Sequence, residues 1–326
     1  MPLVLSEADV ASVMPTRELV DAMRDALTTY SDGGVVQPLR TIFPVGDSGG
    51  FFGSMPAYAP ARRALATKLV TLYDSNSGRG LPTHLATILV FDDRTGALEA
   101  VMDGRFITEA RTAAVSAVSY ELLRPGGAIE VALIGSGVQA KSHLEMLAAI
   151  APVRRARVWS PTEAHREQFA RDQSDRLGLP VEATTSAESA VKGADVVVLA
   201  TTSTEPVVRN EWVADGAHVI SVGACLPHQR EMDPDLVVRA SLFVDSRVGA
   251  LAESGDIVQA VEAGRIAPDH IAAELGEVAA GRHHGRQRAS EVTVFKSLGM
   301  AVEDAVAAKL VSDRAVERGV GRHIEI

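Results

Sequence analysis

Val131-Ala132-Leu133-Ile134-Gly135-Ser136-Gly137-Val138-Gln139-Ala140 is an apolar run that passes directly into Gly-x-Gly-x-x-Ala and then into a helical pattern. Its reading decides the fold. Residues 131–134 carry no charge and read as a buried strand. Gly135 permits the tight turn, Gly137 lets a pyrophosphate approach the backbone, and the small Ala140 lets the helix lie close on the strand. N–H groups at the helix start then face the phosphates. The motif alone is a weak pattern; after a buried strand and inside an alternating β/α segment it points to a nicotinamide or flavin dinucleotide.

Downstream, β-rich runs at 131–134, 157–159, 195–200, 219–222 and 242–245 alternate with helical ones, 138–149 and 163–177 between the first three. Such alternation predicts βαβ units and a parallel sheet. Upstream, 108–123 is alanine-rich and helical until Arg124-Pro125-Gly126-Gly127 breaks it, which marks the first domain boundary. From 35 to 101 the texture is short β-type runs, 66–72 and 85–91 among them, separated by turn signals at Gly49-Gly50, 75–80 and 92–96; this predicts a mostly antiparallel sheet. Ser6 and Asp9 form a capping-box pattern, and Thr16 is placed to cap a second helix carrying Leu19, Val20, Met23, Leu27 and Tyr30. The 297–318 segment is helical, and either extends the second domain or returns to the first.

The chain has 326 residues, above the roughly 250–300 at which one core usually splits, so two domains are expected. It carries 32 Lys+Arg against 42 Asp+Glu, a formal charge of −10, with no basic block. That argues against a general nucleic-acid or anionic-membrane binder. Cys225 is the only cysteine, so neither an intrachain disulfide nor a thiolate cluster can form, and a cytoplasmic location is expected. Residues 1–30 do not read as a signal peptide, and no apolar run reaches the roughly 18 residues of a membrane span. No His pattern suits a metal.

Cofactor choice is read where the second strand ends, at Trp159-Ser160-Pro161-Thr162. There an acid would bind ribose hydroxyls and an Arg would favour a 2′-phosphate. Neither is present; Glu163 opposes a phosphate, while His165 and Arg166 attract one, so the expectation stays at NAD(P). In the first domain Arg40, Lys68 and Arg111 are isolated cations among apolar or glycine-rich neighbours. A charge inside such a run must be solvated, paired or used. Lys68 on a solvated edge with Arg40 and Arg111 paired to acids is one reading; a grip on a substrate carboxylate is the other. His84 is an acid/base or a polar turn residue, and taken alone it reads first as the turn residue. Cys225 follows a predicted strand end where α/β active sites gather, yet a free cysteine is more often a small packing residue.

With these residues in view, the chain resembles the ornithine cyclodeaminase/μ-crystallin family, and most of all its ketimine reductase branch. The resemblance is carried by 53–60 (GSMPAYAP), 66–72 (ATKLVTL), 80–86 (GLPTHLA), 101–118 (VMDGRFITEARTAAVSAV), 134–143 (IGSGVQAKSH), Glu205-Pro206, 216–223 (GAHVISVG), 253–256 (ESGD), 273–276 (AELG) and 294–304 (VFKSLGMAVED). It implies an α/β fold in which a Rossmann-type parallel-sheet domain (125–296) is inserted into a mostly antiparallel α+β substrate and dimerisation domain (1–124), completed by a C-terminal helix (297–326). It implies a homodimer, and NAD(P)H-dependent reduction of cyclic imino acids such as 1-pyrroline-2-carboxylate or 1-piperideine-2-carboxylate. Arg40, Lys68 and Arg111 would then hold the substrate carboxylate, with Lys68 or solvent as proton source. Arg111 and Thr112, Gly135, Gly137, Val138 and Gln139, the segment Ser160, Pro161 and Thr162, and Thr201 and Val222 would touch the cofactor, with Cys225 on the substrate side.

Two departures bear on function. Deaminating and alanine-oxidising members of the family carry an Asp where this chain has Cys225, which weighs against ornithine cyclisation and alanine dehydrogenation. Relatives of the μ-crystallin type that use NADPH tend to carry an Arg in place of Pro161. Amino-acid dehydrogenation, ornithine cyclodeamination and non-catalytic binding of NAD(P) with a small ligand are the alternatives.

Overall fold

The computed structural model describes residues 1–124 and 126–325, and all side chains among them except those of Ser48 and Ser77. The expected helix break at Pro125 and the chain end at Ile326 therefore lie outside the described residues. Two compact units are present, Met1–Arg111 with Gly299–Ile326, and Thr112–Leu298. The division falls inside one helix at Arg111/Thr112, ahead of the boundary after 124 that the helix-breaking residues suggested.

The first unit contains β1 (Leu3–Leu5), α1 (Glu7–Val13), α2 (Thr16–Ser31), β2 (Thr41–Val45), β3 (Gly50–Ala59), β4 (Ala64–Leu72), β5 (His84–Phe91), β6 (Leu98–Asp103) and the start of α3 (Arg105–Leu123). Its seven-stranded sheet, completed near the chain end by β15 (Arg322–His323), runs β15-β1-β6-β5-β4-β3-β2. Only the β1–β6 pair is parallel. Ser6 makes the expected capping box with Asp9. Thr16 does not cap α2: it is the first helical residue, and Pro15, which has no N–H to satisfy, takes the cap position. Even-numbered residues from Ala64 to Val70 of β4 and from Ala86 to Val90 of β5 are buried, as a strand period of two requires. α11 (Ala301–Arg318) packs on β3, β4 and α2 in this same unit, which decides between the two destinations open for the 297–318 segment. The helix itself begins four residues later, at Ala301.

The second unit holds β7 (Ile129–Ile134), α4 (Val138–Ile150), β8 (Val153–Trp159), α5 (Glu163–Leu177), β9 (Val181–Ala183), α6 (Ala187–Val191), β10 (Val196–Leu199), β11 (His218–Ser221), α7 (Pro234–Arg239), β12 (Ser241–Val244), α8 (Arg247–Glu253), α9 (Gly255–Glu262), β13 (Ile271–Glu274), α10 (Leu275–Ala279) and β14 (Thr293–Lys296). Its sheet is parallel throughout, in the order β13-β12-β14-β11-β10-β7-β8-β9. β7 lies where the strand order reverses, with β8 on one side and β10 on the other. This is the switch point at which open α/β sheets bind ligands outside the carboxyl ends of their strands. The core there is almost wholly aliphatic, Ile134, Val197, Leu199, Val219, Leu242 and Val294 among its fully buried members, as expected for strands covered on both faces. No helix among the described residues is long and apolar enough to cross a membrane.

Candidate active site

In the first unit, two of the isolated cations of the sequence, Lys68 and Arg111, converge on one acidic pair. Lys68 sits in the middle of β4, hydrogen-bonded between β3 and β5 and 3 % exposed, so it is not on a solvated edge. Its Nζ lies 2.6 Å from Asp304 Oδ2. Arg111 donates from Nε to Asp304 Oδ1 at 3.0 Å and from Nη1 to Glu303 Oε2 at 2.5 Å. Both acids stand in the first turn of α11, where the helix dipole favours negative charge, and both are buried. Gly299 closes the arrangement. Its φ of +76° lies in the left-handed region, a Cβ there would collide with the Arg111 guanidinium, and its carbonyl accepts Arg40 Nη2 at 2.8 Å. The segment carrying Arg40 is held a second time by Gln37 Oε1, which accepts the Val302 N–H at 2.8 Å.

Burial pushes the Lys68 pKa down to about 8, assisted by Arg111 and Arg40 and opposed by Asp304. The arginines contribute, but removal from water is the larger cause. Burial raises the Asp304 carboxyl, and Arg111 and Lys68 together outweigh it, so Asp304 stays ionised below its usual range. His84 is the first residue of β5 rather than a turn residue, on the Lys68 side of the sheet. Burial, then Lys68 and Arg111, hold it down to about 4 and therefore neutral. Three cations, two carboxylates and a neutral imidazole thus surround one place, an environment that attracts a small carboxylate and offers a proton from an amine titrating near neutrality.

Glu303 and Asp304 escaped the sequence reading as site residues. The signal was present: two adjacent acids between Ala301-Val302 and Ala305-Val306 cannot both face solvent on a helix that is buried on every side of its first two turns.

In the second unit a cleft of about 570 Å³ opens at the carboxyl ends of β7, β8 and β10, lined in part by Gly135, Ser136, Ser160, Pro161, Thr162 and Thr201. Gly135 has φ +112°, and a Cβ there would strike the Ala200 carbonyl. Gly137 precedes α4 with no side-chain cap, and nothing would lie within 4 Å of a Cβ there. Space and helix N–H groups are therefore both present for a pyrophosphate, and the loop fits a dinucleotide. Gly137, Val138, Gln139, Val222, Cys225 and the buried Thr112 are not among that cleft's lining residues.

Ser136 Oγ donates to Ser160 Oγ at 2.9 Å across the cleft floor. Arg166 donates to the Ser160 carbonyl at 3.2 Å and lies 3.5 Å from Glu163, so its charge is shared with structural partners. His143, kept neutral near a pKa of about 4 by burial, donates from Nδ1 to the Gln139 carbonyl at 2.7 Å and pairs with Ser116 at 2.8 Å, bracing α4 against the second half of α3. The Cys225 thiol donates to the Val222 carbonyl at 3.3 Å.

The profile of the ornithine cyclodeaminase/mu-crystallin family matches residues 1–319. The ketimine reductase mu-crystallin of Mus musculus is 45 % identical over 317 residues, 96 % of this chain and 97 % of its own. Delta(1)-pyrroline-2-carboxylate reductase of Thermococcus litoralis, solved with NADH and L-proline, superposes with a TM-score of 0.96 at 39 % identity, covering 99 % of this chain and 100 % of its own. An archaeal alanine dehydrogenase dimer with bound NAD superposes at 0.93 with 30 % identity, covering 100 % and 99 %. A family profile over residues 1–319 and relatives matched along nearly the whole chain place this protein, with its two-unit architecture and dinucleotide loop, in the ornithine cyclodeaminase/mu-crystallin family.

Proposed function

We propose that the protein is a cytoplasmic, homodimeric NAD(P)H-dependent ketimine reductase, converting cyclic imino acids such as 1-pyrroline-2-carboxylate or 1-piperideine-2-carboxylate to proline or pipecolate. The observation that carries the reading is the buried Lys68–Asp304–Arg111 cluster with Arg40 beside it. Arg40 and Arg111 fix the substrate carboxylate and so place the C=N bond; positioning of this kind supplies much of a rate enhancement. A reduced nicotinamide supplies the hydride when bound. Lys68, whose pKa of about 8 leaves it largely protonated at neutral pH, donates a proton to the imine nitrogen, and Asp304 keeps the ammonium form from being lost to burial. Gly135, Gly137, Val138 and Gln139 bind the pyrophosphate, Ser160, Pro161 and Thr162 the adenosine ribose, and Arg111, Thr112, Thr201 and Val222 the remainder.

The reductase relatives support this activity over deamination, and so does Cys225, which offers no carboxylate to work on a substrate amine. The test is a matrix of NADH and NADPH against both cyclic imines, L-ornithine and L-alanine, followed by nicotinamide absorbance. Turnover with an imine and none with the two open-chain amino acids is expected. Ammonia release from ornithine would overturn the proposal, and so would cofactor binding without turnover of any substrate.

The homodimer is supported by the outer edge of the first unit. β2 ends its sheet and is exposed along four of its five residues, with Phe43 49 % and Ile42 44 % accessible and Leu39 and Phe51 also exposed. An unprotected apolar edge invites a partner. Sedimentation velocity is expected to give a dimer, and Phe43→Asp with Ile42→Lys a monomer. A wild-type monomer would refute it.

A further inference from the structure

The second unit buries three charged side chains that the mechanism above does not use. Glu231, fully buried, accepts four hydrogen bonds. Oε1 takes the Thr201 N–H at 2.6 Å; Oε2 takes the Ser221 hydroxyl at 3.0 Å, the Gly223 N–H at 3.0 Å and the Ala224 N–H at 3.2 Å. Asp256 holds the backbone of the same residue, accepting the Glu231 and Met232 N–H groups at 2.8 and 2.9 Å. Lys296 ends β14 in register with Ser221, donates to its hydroxyl at 3.0 Å, and lies 3.5 Å from Asp256.

One carboxylate therefore ties together the segments that leave β10 and β11. The junction is tight: a Cβ on Gly223 would collide with the Thr201 backbone and with Glu231 Oε1. In a sheet with its glycine loop after β7, the adenosine ribose lies toward the end of β8, and the other mononucleotide half lies across the switch point, toward β10 and β11.

We infer that Glu231 is a positioning residue for the nicotinamide half of the cofactor, holding 201–203 and 222–225 in the conformation that receives it. The inference rests on the dinucleotide reading of the cleft. Replacing the carboxylate with an amide removes the ionic character of all four hydrogen bonds and turns an –NH₂ toward at least one backbone N–H, leaving a buried donor unmatched. The loss falls on the segments after β10 and β11, whereas Gly135 N–H remains bonded to the Trp159 carbonyl.

The experiment is calorimetric titration of wild type and Glu231→Gln with NADH and with ADP, which lacks the nicotinamide half. NADH is expected to weaken about tenfold or more, the size of one unmatched buried donor, with ADP affinity essentially unchanged. Equal weakening of both ligands, or of neither, overturns the inference. Failure of wild type to bind either NADH or NADPH overturns the cofactor reading and the inference with it, and if only NADPH binds, the same comparison is made with NADPH against 2′-phospho-ADP. Ser221→Ala, which keeps the carboxylate and its three backbone hydrogen bonds, provides a second reading if the Gln variant does not fold. The same NADH-selective loss is expected, at about two- to fivefold, and its absence likewise counts against the assignment.

Discussion

Lys68→Met is expected to lower turnover of a cyclic imine by about 10²–10⁴-fold, the usual contribution of a positioned proton donor, while NADH affinity changes little. Met keeps an unbranched apolar stem in the buried position while removing the ammonium and its N–H donors, and Asp304 keeps Arg111 as a partner at 3.0 Å. The wild-type rate should fall as pH rises through about 8, where the ammonium is lost, and the variant should lack that limb. Stability carries the opposite sign. The folded pKa of about 8 lies below the ordinary 10.5, so between these values the unfolded chain binds more protons and the contribution of this group to stability rises with pH. Denaturant midpoints measured across that range should show the slope in wild type and lose it in Lys68→Met. An unaltered pH–rate profile in the variant would assign the proton to solvent.

Asp304→Ala should be the most destabilising single change in the first unit. It leaves Lys68 and Arg111 as two buried cations with Glu303 as the remaining acid, and breaking a buried ion pair from one side costs about 3–5 kcal/mol. Urea unfolding reads this directly. Because Asp304 is the group that raises the Lys68 pKa against burial, whatever activity survives should have its alkaline limb shifted to lower pH. A stability loss below about 1 kcal/mol, the range of exposed pairs, would mean that water reaches the cluster.

Much of this architecture is legible in the residues. The β7–loop–α4 unit announces itself because the chemistry is local: a four-residue apolar strand, a turn only glycine can make, and a helix that must lie close to it. The alternation beyond it predicts a parallel sheet, and the short β runs before it a mostly antiparallel one, because strand and helix periods differ enough to be told apart. Arg40, Lys68 and Arg111 stand out because each is a charge among apolar neighbours. β14 is less legible. Four residues ending in Lys296 show no alternation, and they form a strand only because β11 and β12 flank them on either side. His84 misleads for a similar reason: the turn signals before it are real, but pairing with Leu72 of β4 begins at His84 itself.

What the sequence determined alone is therefore whatever depends on neighbours within a few residues: most of the element types, the phosphate loop, and the presence of cations that required an explanation. Only the tertiary structure decided what those cations meet. Arg111 and Asp304 are 193 residues apart, and no local period links them. The return of α11 to the first sheet places two acids against Lys68 and Arg111; burial then lowers the Lys68 pKa, while the two cations hold Asp304 ionised against burial. The same holds for Glu231, an unremarked acid in the sequence, whose carboxylate gathers four donors from the ends of two strands because the parallel sheet delivers both ends to one place.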